Sequence, residues 1–338
     1  MEARWQPDIL GDGYEQRTIP LRSEVEGIEG APTATLVRRL PGRRRLFQKR
    51  RMFEDIDVLY VHGWSDYFFQ KRLAEYWASR GARFYALDLR RYGRSLRKGQ
   101  SLGYVADLEA YDEEIDAALG IMKEEADDPR RLVLFGHSTG GLVLSLWADR
   151  NPGRATAIML NSPWLELQFG RRTRHAIAPL TELGTKLDPL ATGPNIDLGF
   201  YARAQQEVYD EEDPYEYDEQ WRPNPSATVH VAWLNAILAG HAKVEEGLAI
   251  DAPVCALFSA RSIAPVRWSE ELTRVDSVLN VDRVARAALK LGASVTIERI
   301  DGALHDTFLS RREARTEAYS RMDRWAQGVL TQRIRPRG

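Results

Sequence analysis

Residues 133–142, VLFGHSTGGL, constrain the chain more tightly than any other stretch. A strand-length apolar run breaks into glycines around a single serine, and an apolar pattern of helical spacing (Leu142, Val143, Leu146, Trp147) resumes at once. Such an abrupt strand-to-helix turn needs positions without a Cβ, which Gly136, Gly140 and Gly141 supply. The fold must therefore join a buried strand directly to a helix.

The flanking sequence repeats the same alternation. DVLYV (57–61), ARFYAL (82–87), RLVLF (131–135), ATAIML (155–160), PVCALF (253–258) and SVTIERI (294–300) read as strands. Between them Phe69, Leu73, Tyr76 and Trp77 recur at helical spacing, as do Leu108, Ile115, Leu119 and Met122. Helices are also expected over 281–291 and around Tyr319, Met322, Trp325 and Val329. Strands alternating with helices imply a mostly parallel sheet covered on both faces. Tyr14–Pro20 and Ala34–Leu40 form an antiparallel start. The rhythm fails between Trp164 and Ile250, where Gly and Pro breaks, an acidic run at Asp210–Asp213 and many aromatics surround one helix between Ser226 and Glu246. The expected organisation is one α/β domain, residues 1–163 and 251–338, with a mainly helical insertion over 164–250.

A chain of 338 residues with 43% hydrophobic and 28% charged residues has the profile of a globular protein, and a net charge of −2 favours neither nucleic acid nor an anionic membrane. Cys255 is the single cysteine, so neither an intrachain disulfide nor a cysteine-rich zinc site can form. MEARWQPDIL lacks the pattern of a secretory signal, and no apolar run is long enough for a membrane-spanning helix. A cytoplasmic location without stable membrane insertion is expected. The basic stretch Arg38–Arg51 reads as a solvated hairpin, with a polyanion or anionic lipid contact as its alternative. The acidic run at Asp210–Asp213 likewise reads as a solvated face.

Gly136-His137-Ser138-Thr139-Gly140 fits G-x-S-x-G, which raises a serine hydroxyl above the sheet at a helix N-terminus. A hydroxyl needs a base to become a nucleophile. Of the six histidines, His305 stands in a loop after the last strand, where open parallel sheets carry their reactive groups. His137 adjoins Ser138, and neighbouring side chains on such a turn diverge. A tetrahedral oxyanion needs two convergent N–H donors, assigned to the backbones of Trp64 and Thr139. His62 is expected to hold the loop that carries Trp64. With His62 and Gly63, the residues Tyr67, Phe68, His137 and Trp164 are the candidates to border substrate; Trp233 is a further aromatic that could lie there. No H-E-x-x-H motif, clustered metal ligand set or phosphate-binding loop is present, so neither metal nor cofactor is implied.

Four ordered motifs then carry a resemblance: His62-Gly63, Asp88-Leu-Arg-Arg-Tyr-Gly-Arg-Ser95, Gly136-His137-Ser138-Thr139-Gly140-Gly141 and Gly302-Ala303-Leu304-His305. The sequence resembles the α/β-hydrolase fold, and within it the monoacylglycerol lipase, lysophospholipase and serine aminopeptidase-like group. The resemblance implies a mostly parallel central sheet, a cap in place of the insertion, and a Ser–Asp–His triad in that chain order.

The acid departs from the pattern. That group carries an Asp soon after the strand following the cap, whereas Ser259-Ala-Arg-Ser-Ile-Ala-Pro265 holds no carboxylate. Asp276, in Asp-Ser-Val-Leu279, has the look of the D-x-x-V setting, with leucine at the fourth position, if Arg261–Val275 is an inserted excursion. Glu166 and Asp282 stay open as rivals; Asp306 is expected to hydrogen-bond within its loop. The expected activity is hydrolysis of a small-molecule carboxylic ester through an acyl-enzyme on Ser138. A serine aminopeptidase or amidase is the alternative within the same chemistry, with Glu166 and Asp210–Asp213 as possible anchors for an α-ammonium. A non-catalytic hydrolase-like binding protein is the alternative outside it.

Overall fold

A computed structural model describes residues 4–22, 31–42, 50–193 and 197–331. Nine strands form one sheet: β1 (Gln6–Pro7), β2 (Tyr14–Pro20), β3 (Thr33–Arg39), β4 (Ile56–Val61), β5 (Arg83–Asp88), β6 (Arg131–His137), β7 (Ala157–Asn161), β8 (Val254–Ser259) and β9 (Val295–Ile300). Their spatial order is β1-β2-β3-β5-β4-β6-β7-β8-β9. The pairs β1–β2, β2–β3 and β3–β5 are antiparallel, and the pairs from β5–β4 through to β8–β9 are parallel. β4, β5, β7 and β8 are buried along their whole lengths, as strands covered on both faces must be.

The strand period of two divides the core. Leu59, Val61, Leu134 and Ile158 point into one apolar cluster, which is completed by α2 (Tyr111–Glu124), α3 (Thr139–Arg150) and α7 (Val281–Ala288). Val58, Tyr60, Val133, Phe135 and Met159 point into the other, closed by α1 (Lys71–Ser79) and α8 (Arg312–Leu330). Between β7 and β8 the chain leaves the sheet and forms α4 (Arg171–Leu187), α5 (Phe200–Glu207) and α6 (Val231–Glu246). Only α6 was expected from the sequence. α4 and α5 were missed because their buried faces are short: Arg174 is the one buried residue of α4, so its apolar spacing does not point at a core. No helix among the described residues is long and apolar enough to cross a membrane.

Two charge patterns differ from expectation. Arg38 and Arg39, at the end of β3, pair with Glu15 and Glu125 and with Glu75; residues 43–49 of the basic stretch lie outside the described residues. The acidic run is a solvated face only at Glu211 and Glu212. Asp210 pairs with Arg312 and Arg315, and Asp213 pairs with Arg72 and Arg315, so the run ties the insertion to α8 and α1.

Candidate active site

Ser138 links β6 to α3 with φ 50° and ψ −115°, a backbone state that a non-glycine residue holds only under strain, at about 1–3 kcal/mol. The surroundings over-determine it. Its amide donates to the Asn161 carbonyl at 3.0 Å, and its carbonyl accepts from Gly141 and Trp164 at 3.0 and 2.9 Å. The glycines have a steric cause. A Cβ on Gly136 would lie 2.6 Å from Gly141 Cα, and one on Gly140 would lie 2.3 Å from the Val61 carbonyl oxygen. The turn therefore packs backbone on backbone.

His305 follows β9, and its Nε2 lies 3.0 Å from Ser138 Oγ. Its Nδ1 donates to Asp276 Oδ2 at 2.9 Å, and the three residues are 8%, 3% and 0% exposed in the order Ser138, His305, Asp276. Hydroxyl, imidazole and carboxylate thus form a continuous buried relay. Asp276 Oδ1 accepts from the Val278 and Leu279 amides at 2.7 and 2.8 Å, so both carboxylate oxygens are engaged. The excursion after β8 returns on itself. Asp276 forms a bridge with Ser262, its amide donating to Arg261 and its carbonyl accepting from Ile263. An acid displaced along the chain thereby stands beside the residues that immediately follow β8. Neither rival approaches the imidazole: Glu166 pairs with Arg174 at 3.1 Å and Asp282 with Arg299 at 2.7 Å.

The loop after β4 presses on the nucleophile. A Cβ on Gly63 would lie 3.0 Å from Ser138 Cβ, so glycine lets the loop pass close to the nucleophile. Among the described residues the Trp64 amide has no acceptor. Thr139 is the first residue of α3, where amides have no partner within the helix, and its buried Oγ1 is also unpartnered. His62 holds this loop: Nδ1 donates to the Gly63 carbonyl at 2.7 Å, and Nε2 accepts from the Leu89 amide at 3.1 Å. The motif beginning at Asp88 serves the same region, since Asp88 accepts from the Phe68 and Arg94 amides and from the Arg94 guanidinium.

Four of the residues expected to border substrate are engaged in packing or in hydrogen bonds to backbone. Phe68 is fully buried against Tyr60 and Phe84, with ring centroids 5.4 and 5.2 Å away. Tyr67 packs on Phe69 and Trp221, and its hydroxyl accepts from the Asp218 amide. Both ring nitrogens of His62 are occupied by backbone. His137 is buried below His305, with ring centroids 5.1 Å apart, and its Nδ1 donates to the Asn161 carbonyl at 3.1 Å. Burial holds the His137 imidazole below its ordinary pKa.

The rings of Trp64 and Trp164 each lie against Trp233, with centroids 4.0 and 5.9 Å away. Three further residues join the site. Asp306, expected to bond within its loop, accepts from Asn161 Nδ2 at 2.8 Å, the Phe308 amide at 3.0 Å and Gln70 Nε2 at 2.7 Å. Asn161, a polar residue closing a buried strand at the carboxyl edge of the sheet, carried a signal that could have been read. Tyr201 of α5 carried none: its ring stands edge-on to His305 and its hydroxyl accepts from the Asp306 amide at 3.1 Å.

Comparison with known proteins agrees with this architecture. The chain is 27% identical to a monoacylglycerol lipase of Mycolicibacterium smegmatis over 152 residues, 45% of this chain and 52% of that protein, and so spans about half the length of that curated relative. A soluble variant of monoglyceride lipase from Saccharomyces cerevisiae, solved with a substrate analog, superposes with a TM-score of 0.59 at 16% identity, over 92% of this chain and 96% of the other. The monoacylglycerol lipase of Paleococcus ferrophilus superposes with a TM-score of 0.57 at 22% identity, over 80% and 94%. These structures share the α/β-hydrolase fold with this chain. The family model of the serine aminopeptidases, S33, matches residues 55–261, from the start of β4 to just beyond β8, and the chain belongs to that family.

Proposed function

We propose that the protein hydrolyses small carboxylic esters of the monoacylglycerol type through an acyl-enzyme on Ser138. The observation that carries this reading is the buried relay Ser138–His305–Asp276, with the serine held at φ 50° on the strand-to-helix turn. His305 Nε2 takes the hydroxyl proton as Oγ bonds to the ester carbonyl carbon. The Trp64 and Thr139 amides receive the oxyanion. Collapse of the tetrahedral species breaks the ester C–O bond, and His305 returns the proton to the departing alcohol. Water, deprotonated by His305, then releases the carboxylic acid and regenerates the serine. Asp276 fixes the imidazole tautomer and stabilises the imidazolium throughout. The insertion 164–250 acts as a cap, and Tyr201 brings it against the base.

The aminopeptidase alternative has less support. An α-ammonium needs an unengaged carboxylate, whereas Glu166, Asp210 and Asp213 are each committed to arginines. A fluorophosphonate probe tests the proposal. The wild type is expected to become labelled once per chain and Ser138→Ala not at all; a folded wild type that resists labelling overturns it. Monoacylglycerols assayed beside aminoacyl p-nitroanilides separate the two activities.

A further inference from the structure

A cavity of about 740 Å³ lies away from the relay, lined by Phe169, Arg171, Arg172, His175 and Arg283. Its walls come from two parts of the molecule: Arg171, Arg172 and His175 from the start of α4, and Arg283 from α7. Carboxylate supply there is short. Glu245 is shared between Arg171, Arg174 and His175, and Glu166 pairs with Arg174 on the buried side. Among the described residues Arg172 and Arg283 have no carboxylate partner. The Arg283 guanidinium lies over Gly170, whose φ of +80° favours glycine, with Nη1 2.0 Å from where a Cβ would stand. Gln168 ties the same entry to α4 onto the acid loop by donating to the Val278 carbonyl.

Arg172 and Arg283 face the same open cavity without a carboxylate of their own; like charges so placed repel one another, and a multivalent oxyanion removes that repulsion. Guanidinium groups suit phosphate geometry better than they suit a point anion. The cavity exceeds the size of a phosphate group, and Phe169, 61% exposed on its wall, offers an apolar face beside the charge. We infer that this cavity binds a phosphate ester, the phosphoryl oxygens lying between Arg172 and Arg283 and the organic portion against Phe169. The ester can reach it as a free phosphorylated metabolite or as a phospholipid headgroup. The site is separate from Ser138, so its test does not depend on hydrolysis.

The full chain is titrated calorimetrically with glycerol 3-phosphate, and sedimented with vesicles of phosphatidylcholine with or without phosphatidylglycerol. Saturable binding of the soluble ester is expected, weakened at least about tenfold in R172Q/R283Q by loss of the charge-assisted bonds. The single variant R172Q, changed at an exposed position, gives the same direction should the double variant lose its fold. Binding only to the phosphatidylglycerol vesicles, lost in the same variants, assigns the site to a headgroup. No saturable binding of either probe, or equal binding by wild type and both variants, overturns the inference.

Discussion

At Asp276 the geometry of a single side chain decides between three carboxylates. One oxygen faces the imidazole of His305 and the other is saturated by two backbone amides, so the carboxylate cannot rotate away from its partner. Asp276→Asn keeps the size of the side chain but offers an amide where an acceptor is required, and favours the wrong imidazole tautomer. Turnover is expected to fall by about 10⁴, with little change in thermal stability. Ester hydrolysis by the purified variant measures this, and near-wild-type turnover would remove Asp276 from the proposed triad. Ser138, His305 and Gly63 were readable from residue type and local spacing, because each answers a local requirement of a turn or a strand end. The edge-on contact of Tyr201 with His305 was not. No neighbouring residue in the chain determines it.

Among the elements, α6 shows how a helix of the insertion is anchored. His241 is fully buried, its Nε2 donates to the Trp164 carbonyl at 2.9 Å, and burial pushes its pKa down to about 3. The unfolded chain binds a proton at this residue near pH 6.5, whereas the folded one stays neutral until about pH 3. The unfolded state therefore holds more protons within that window, and stability is lost as pH falls through it. The contribution of this one group reaches about 1.4 kcal/mol per pH unit. His241→Gln can still donate to the carbonyl but does not titrate. Urea denaturation at pH 7, 6, 5 and 4 should show a shallower loss of stability in the variant; identical slopes would refute the assignment. α4 and α5 escaped the sequence for a related reason. They meet the core through single residues and ion pairs, which leave no apolar period to read.

The whole molecule is closed by contacts that join the insertion to the α/β core. Arg222 of the insertion donates to Asp66 at 3.0 Å and to Gln205 at 2.7 Å, and neither Arg222 nor Asp66 has more than a slight exposure of its side chain. Nearby carboxylate and tyrosine groups hold the Arg222 guanidinium above its ordinary pKa despite its burial. Removing one partner strands a buried charge. Arg222→Met is therefore expected to destabilise the protein by about 3–5 kcal/mol in chemical denaturation. A change within experimental error would show that the latch carries no net stability. The acidic run Asp210–Asp213 works in the same way against α8 and α1. Its composition suggested solvent because arginines a hundred residues along the chain are invisible to a local charge count.

Taken alone, the sequence determined the α/β class, the strand–serine–helix turn and the histidine after the last strand. Each rests on a period or a steric requirement satisfied within a few neighbouring residues. The tertiary structure decided which carboxylate reaches His305, since the excursion after β8 folds back through pairing with Arg261–Ile263. It also set the aromatic packing of Tyr67 and Phe68 and the backbone hydrogen bonds of His62 and His137. Burial and long-range pairing are properties of the assembled chain, because the atoms that exclude water from a side chain come from segments distant in sequence.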